Sequence, residues 1–226
     1  MIFSDTLPGH TEPTDLTRYF EEVEHASLHL PQDHSQQLLT RAEARHLSQQ
    51  MHFHPLMQQL GGLILDDVQT SNHHLYVSTG PLRGAVCWLS HDGASRIVYA
   101  SLSDFLSAAI AARAEHQILE DRHPELSPLA EDQHALGHWI LTMLEEADAD
   151  VRVPALIPSL DLTDLALLRQ LASHEDFYIS EAIALEICRR PHKALAEIAQ
   201  TCAQHPHPQA ARAGGRARGM IRGLRG

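Results

Sequence analysis

Cysteine is scarce in this chain, and its three residues, Cys87, Cys188 and Cys202, stand far apart inside apolar runs. An odd, dispersed set excludes a disulfide scaffold and fits no zinc-module spacing, so reduced core thiols are expected. No run of about 18 consecutive apolar residues occurs, which excludes a helix of membrane-spanning length. The opening MIFSDTLPGHTEPTD has no basic region ahead of an apolar core. It therefore does not read as a secretory signal, and a cytoplasmic location is expected. Gly61-Gly62 and Gly214-Gly215 lack the following lysine or the third glycine of a phosphate-binding loop or dinucleotide fingerprint.

Histidine, by contrast, is abundant, with eighteen residues. His134 and His138 stand i, i+4 on a predicted helix, but the sequence between them, Ala-Leu-Gly, lacks the glutamate of an HExxH site. His25 and His29 repeat the spacing, and His52, His54, His73 and His74 add pairs, none joined by a carboxylate at ligand spacing. Surface or helix-end imidazole is the expectation, with no metal and no cofactor. Ser90-His91-Asp92 is contiguous, and neighbours on a strand point to opposite faces, so it cannot act as a local relay. Cys87 beside Trp88 on a strand reads as core.

The 226 residues, 43% hydrophobic, suffice for one large domain or two small ones. The first thirteen residues read as a loose leader. Thr14 is expected to cap a helix that buries Leu16, Phe20 and Val23, with Glu21, Glu22 and Glu24 on other faces. Thr40-Arg41-Ala42-Glu43 is a capping-box pattern opening a helix through Leu47 and Met51, and Pro55 suits the first turn of another. Short β-rich runs follow: Leu63-Ile64-Leu65, His74-Leu75-Tyr76-Val77, Ala85-Val86-Cys87-Trp88-Leu89 and Arg96-Ile97-Val98-Tyr99. Gly80-Pro81 and Asp92-Gly93 separate the later ones, glycine accepting the positive φ that tight hairpins need. Residues 63–99 are thus predicted to form one mostly antiparallel sheet. Ser101, with Asp104 in the first turn, caps a helix expected to bury Leu102, Phe105, Leu106, Ala109 and Ile110.

The order Gly61-Gly62, apolar strand, Ser71-Asn72-His73-His74, Gly80-Pro81, Gly84-Ala85-Val86, Ser90-His91-Asp92-Gly93 and Ser101-Leu102-Ser103-Asp104-Phe105-Leu106 resembles the SUKH superfamily. A first helix from Leu16 to Leu28 and Leu30-Pro31 match the start of that pattern, so the resemblance spans about residues 14–120. Residues 36–59 depart from the Pro-rich character usual there. The founding members are yeast cell-wall assembly regulators, and most bacterial members are immunity proteins that neutralise polymorphic toxins. The resemblance implies an α+β fold with a mostly antiparallel sheet and flanking helices.

Asp121-Arg122-His123-Pro124-Glu125-Leu126-Ser127-Pro128 reads as a linker, because two prolines in five residues oppose a helix. An all-helical region over 128–211 follows. Leu129 to Glu146, Leu162 to Leu171, Phe177 to Arg189 and Pro191 to Gln204 are helical segments, resembling HEAT-like stacking or a plain bundle. Residues 212–226 form a basic tail. Its five arginines, Arg212, Arg216, Arg218, Arg222 and Arg225, all follow the last acidic residue, Glu197. The formal net charge is −12, so the body before the tail is near −17. An acidic body repels nucleic acid and attracts basic proteins. The tail lacks the aromatics of a single-strand binder, and it is expected to dock on its own protein or stay disordered.

The resemblance to the SUKH superfamily implies stoichiometric binding and neutralisation of a cognate bacterial toxin domain, without catalysis. Expected contacts are Asp66, Asp67 and Asn72 beside the sheet, with Asp92 and Asp104 as lesser ones. Asp66 and Asp67 follow a strand where no core demand explains adjacent carboxylates, so their joint replacement by alanine should weaken binding without lowering the melt. A non-catalytic scaffold or regulatory module is the alternative, and a histidine-dependent metalloenzyme a third. Neither a membrane nor a nucleic acid is an expected partner.

Overall fold

The structure, a computed structural model, describes residues 12–30, 37–67, 71–93 and 95–224. Most of the leader, Pro31 of the Leu-Pro element and Arg225 of the tail lie outside the described residues. The chain divides into two compact units between Pro128 and Leu129.

The first unit holds α1 (Thr14–His25), β1 (Gln37–Leu38), α2 (Arg41–Gln50), α3 (Pro55–Leu60), β2 (Leu63–Ile64), β3 (Asp66–Asp67), β4 (His73–Tyr76), β5 (Val86–Leu89), β6 (Arg96–Tyr99) and α4 (Leu102–Ala114). It is α+β, as expected. Strands β2-β4-β5-β6 form one antiparallel sheet in that order, while β3 leaves it to pair with β1. Local chemistry sets the boundaries. The Thr40–Glu43 capping box is present in full, Pro55 occupies the first turn of α3, and Ser101 Oγ accepts the Asp104 amide. Gly93 has φ 81° in the β5–β6 turn. Two details differ from expectation. Pro13, not Thr14, precedes α1 and makes no side-chain cap, and Ile110 is exposed because the buried face of α4 runs through Leu102, Phe105, Leu106, Ala109 and Ala112.

The residues of β4 and β5 are buried along their whole length, so the sheet is covered on both faces. Cross-strand partners His74, Trp88 and Arg96 share one face. On β6 the register slips: Ile97 faces Cys87, but Tyr99 faces Val86, leaving Val98 as the extra residue. Such a bulge re-aims the following side chain. Tyr99 is thereby turned to the His74 face, with the two ring centroids 6.3 Å apart. Phe105 of α4 covers that face and touches Tyr19 of α1, at 5.0 Å from His74 and 6.1 Å from Tyr19.

The second unit is helical: α5 (Gln133–Met143), α6 (Ala149–Leu156), α7 (Leu165–Ala172), α8 (Phe177–Arg189), α9 (Ala196–Ala203) and α10 (Pro208–Arg222). Asp132, Asp164 and Asp176 cap α5, α7 and α8 by accepting first-turn amides. A single helix from Leu129 to Glu146 is replaced by α5 alone, with α6 following as a separate helix. The basic segment begins inside α10, whose Ala210, Ala213, Gly214, Ala217 and Ile221 are buried. At Gly214 the backbone of α9 is so close that a Cβ would sit 2.7 Å from Ala203 Cα. Inside α8, the buried Glu186 carboxylate is held by Arg189 at 2.9 Å and Arg190 at 2.7 Å.

Candidate functional site

Two constellations in the first unit bring charged side chains together. The outer one is a cleft of about 220 Å³ between α1 and α4, lined by Asp15, Arg18, Tyr19 and Glu22 with Leu102, Ser103 and Leu106. The i, i+3, i+4, i+7 spacing of the α1 residues puts them on one helical stripe. Tyr76 of β4 reaches the same helix, its hydroxyl donating to Asp15 Oδ2 at 3.2 Å. Burial and the Asp15 carboxylate push the Tyr76 phenol up to about 12, so it remains a donor. Glu21, Glu22 and Glu24 are exposed and form no ion pair among the described residues. Residues 1–128 contain 16 acidic and 7 basic side chains, net −9, against 13 and 10, net −3, for residues 129–226.

The inner constellation is a buried polar chain. Asp66 Oδ1 accepts the His74 amide at 2.8 Å, and its Oδ2 accepts from His74 Nδ1. On the far side His74 Nε2 meets His123 Nε2 at 2.7 Å. Both Asp66 and His74 are 0% exposed. Trp88, Tyr99 and Phe105 pack around the His74 ring. His123 is delivered by the segment read as a linker, which Arg96 ties to β6 through the Pro124 carbonyl and Ser127 Oγ. Burial, with His74 and the Arg96 guanidinium beside it, pushes His123 down to about 3. Its neutral ring can thus donate from Nε2 to a His74 whose Nδ1–H is committed to Asp66. Tyr99 Oη and Glu120 Oε2 are also buried, without a hydrogen-bond partner among the described residues.

These positions revise the expected contact set. Asp66 is not a surface carboxylate: the start of β4 demands it, so it cannot meet a partner without unfolding that corner. Asp67 is described only along its backbone, opposite Gln37. Asn72 Oδ1 accepts the His91 amide at 2.7 Å, which brings Asn72 to the β5–β6 turn where Asp92 is exposed. The Asp92 amide donates to Ser90 Oγ. Asp104 is exposed in the first turn of α4, and its Oδ2 accepts from Ser101 Oγ at 2.8 Å. Cys87 is fully buried, and burial pushes its thiol up to about 12, away from nucleophilic character. His134 and His138 are both exposed on α5, and no group of three metal-ligating side chains converges among the described residues.

The inner chain predicts an acid sensitivity. An unfolded His123 takes a proton near pH 6.5, whereas the folded ring resists until about 3. Its contribution is therefore intact above pH 6.5 and is lost as pH falls towards 3. With allowance for water at the half-buried ring, the loss from pH 7 to 4 is about 2 kcal/mol. Urea melts at the two pH values should show His123→Gln losing less stability on acidification than the parent. Equal losses would remove His123 from the account.

No known family model, curated protein or solved structure matches the chain.

Proposed function

We propose that this chain is an immunity protein, one that binds a cognate bacterial toxin domain stoichiometrically and blocks it. The observation that carries the reading is the acidic cleft between α1 and α4, set in a unit that holds most of the chain's negative charge. Asp15 and Glu22 flank Arg18 along the α1 wall of the cleft, and the exposed Glu21, Glu22 and Glu24 would steer a basic partner towards it. The ordered resemblance of residues 14–120 to the SUKH superfamily supports the same reading. Binding by surface contact asks for no cofactor. In this reading the Asp66–His74–His123 chain pins β3, β4 and the 123–127 segment beneath the surface.

The experiment reads the gene immediately upstream, which should encode a long chain with a toxic C-terminal domain, and co-expresses that domain with this chain. That domain alone should arrest growth, this chain should restore it, and the two should elute as a 1:1 complex. Glu22→Lys should weaken the complex by about 30-fold, ~2 kcal/mol, at an unchanged melting temperature. A domain that is harmless, or toxic but not relieved by the parent chain, would sink the proposal. Undiminished affinity of Glu22→Lys would move the contact away from the cleft.

A further inference from the structure

The acidic composition conceals a basic surface on the second unit. On α10 the buried positions Ala210, Ala213, Gly214, Ala217 and Ile221 define one face. At 100° per residue the opposite face consists of Arg212, Gly215, Arg216, Gly219 and Arg222. Arg212, Arg216 and Arg222 are exposed, and Arg218 is half-buried on the flank. None of these four guanidinium groups has an ion pair or hydrogen bond among the described residues. The unit does not lack acids to spend: Arg152, Arg169, Arg189 and Arg190 are all paired.

The glycines between the arginines add a second observation. Glycine is the poorest helix former after proline, so an interior position normally has a packing reason for it. Gly214 has one, against α9. Gly215 and Gly219 have none: a Cβ at either would meet nothing within 4 Å. They leave the helix backbone bare along the strip that the arginines border.

We infer that the outer face of α10 binds the phosphate backbone of a nucleic-acid duplex. Guanidinium forks match phosphate oxygens, and phosphate contacts need charge and donors alone. The row spans ~15 Å, about four base steps along one strand. The strip has no aromatic or branched apolar anchor such as a protein interface uses at its centre. The helix's apolar side is buried inside its own unit, so it cannot insert into a bilayer. Single strands would require stacking surfaces that α10 lacks. The strip is bare where a rigid sugar-phosphate edge would pass. The net negative charge on the rest of the chain opposes such binding most at low salt, and counterion release weakens the phosphate contacts as salt rises.

The test is fluorescence anisotropy of the full chain with a labelled 20-base-pair duplex of mixed sequence, from 20 to 200 mM KCl. Saturable binding is expected, with log K falling against log[salt] at a slope of about −3, as three to four phosphate contacts require. Arg212→Gln, Arg216→Gln and Arg222→Gln together should weaken it at least 10-fold at the lowest salt, with an unchanged thermal melt. Gly215→Gln with Gly219→Gln keeps every charge but covers the strip, and should also weaken binding. No binding by the parent chain, or full binding by either variant, would overturn the inference. Equal affinity for poly-glutamate, or for phosphatidylserine vesicles, would overturn it in favour of a protein or a membrane. These substitutions leave the α1–α4 cleft untouched, so neutralisation of a toxin and duplex binding can fail separately.

Discussion

Asp66→Ala should lower the free energy of unfolding by about 3–5 kcal/mol, because two buried donors lose their acceptor at ~1–3 kcal/mol each. The carboxylate accepts both the amide and the ring of His74, and no water reaches either residue. Alanine would strand two donors in an apolar box of Trp88, Tyr99 and Phe105. Asp66→Ala with His74→Leu removes both ends of the pair and should be less damaging than the sum of the two single changes, since an apolar replacement needs no partner. Chemical denaturation of the three variants decides the matter. An Asp66→Ala protein as stable as the parent would show that the carboxylate does not hold β3 to β4. This reverses the expectation from sequence alone, in which joint loss of Asp66 and Asp67 weakens a partner's binding and leaves the melt unchanged.

Gly214→Ala should be nearly as harmful, at about 3 kcal/mol, because its methyl group would strike the α9 backbone at Cys202 and Ala203. No rotamer change can relieve a clash with main chain, so α9 and α10 must separate. The neighbouring Gly215→Ala is the internal control. It adds the same methyl group to open space and should raise stability by about 1 kcal/mol through helix propensity. Thermal melts of the two variants should therefore move in opposite directions. Equal shifts would mean that α10 does not cross α9 at Gly214.

What the sequence disclosed and what it hid follow from the range of the interactions. The Thr40–Glu43 box, Pro55, Ser101 with Asp104, and Asp92-Gly93 act within three or four residues, and each ends or turns an element where the pattern places it. The sheet strands carried β-branched and apolar runs and were legible on that account. Asp66 was not, because its role depends on β3 leaving the sheet to pair with Gln37 and Leu38. His123 was hidden more deeply. Its partner lies 49 residues earlier, and two prolines made its surroundings resemble a tether. A histidine leading into the buried Leu75-Tyr76 of β4 is the one local sign that a polar partner is required. The cleft is half legible: Glu21, Glu22 and Glu24 fall outside the apolar stripe of α1, but the opposing α4 residues come from the other end of the unit. α10 was misleading for a different reason, since its alanines and glycines look like flexible chain until α8 and α9 are there to receive them.

The four-stranded sheet has no free face, and its edge strands, β2 and β6, are only two and four residues long. A visiting molecule therefore has little main chain to read and must engage helix exteriors and hairpin tips. Glu21, Glu22, Glu24 and Asp92 stand there without supporting the interior. Partner choice can be rewritten at such positions one substitution at a time, each variant remaining folded while it is tried. On the function proposed above, affinity and architecture fall on separate residues, and a lineage obliged to follow a changing adversary could vary the first while leaving Asp66, His74 and Tyr99 alone.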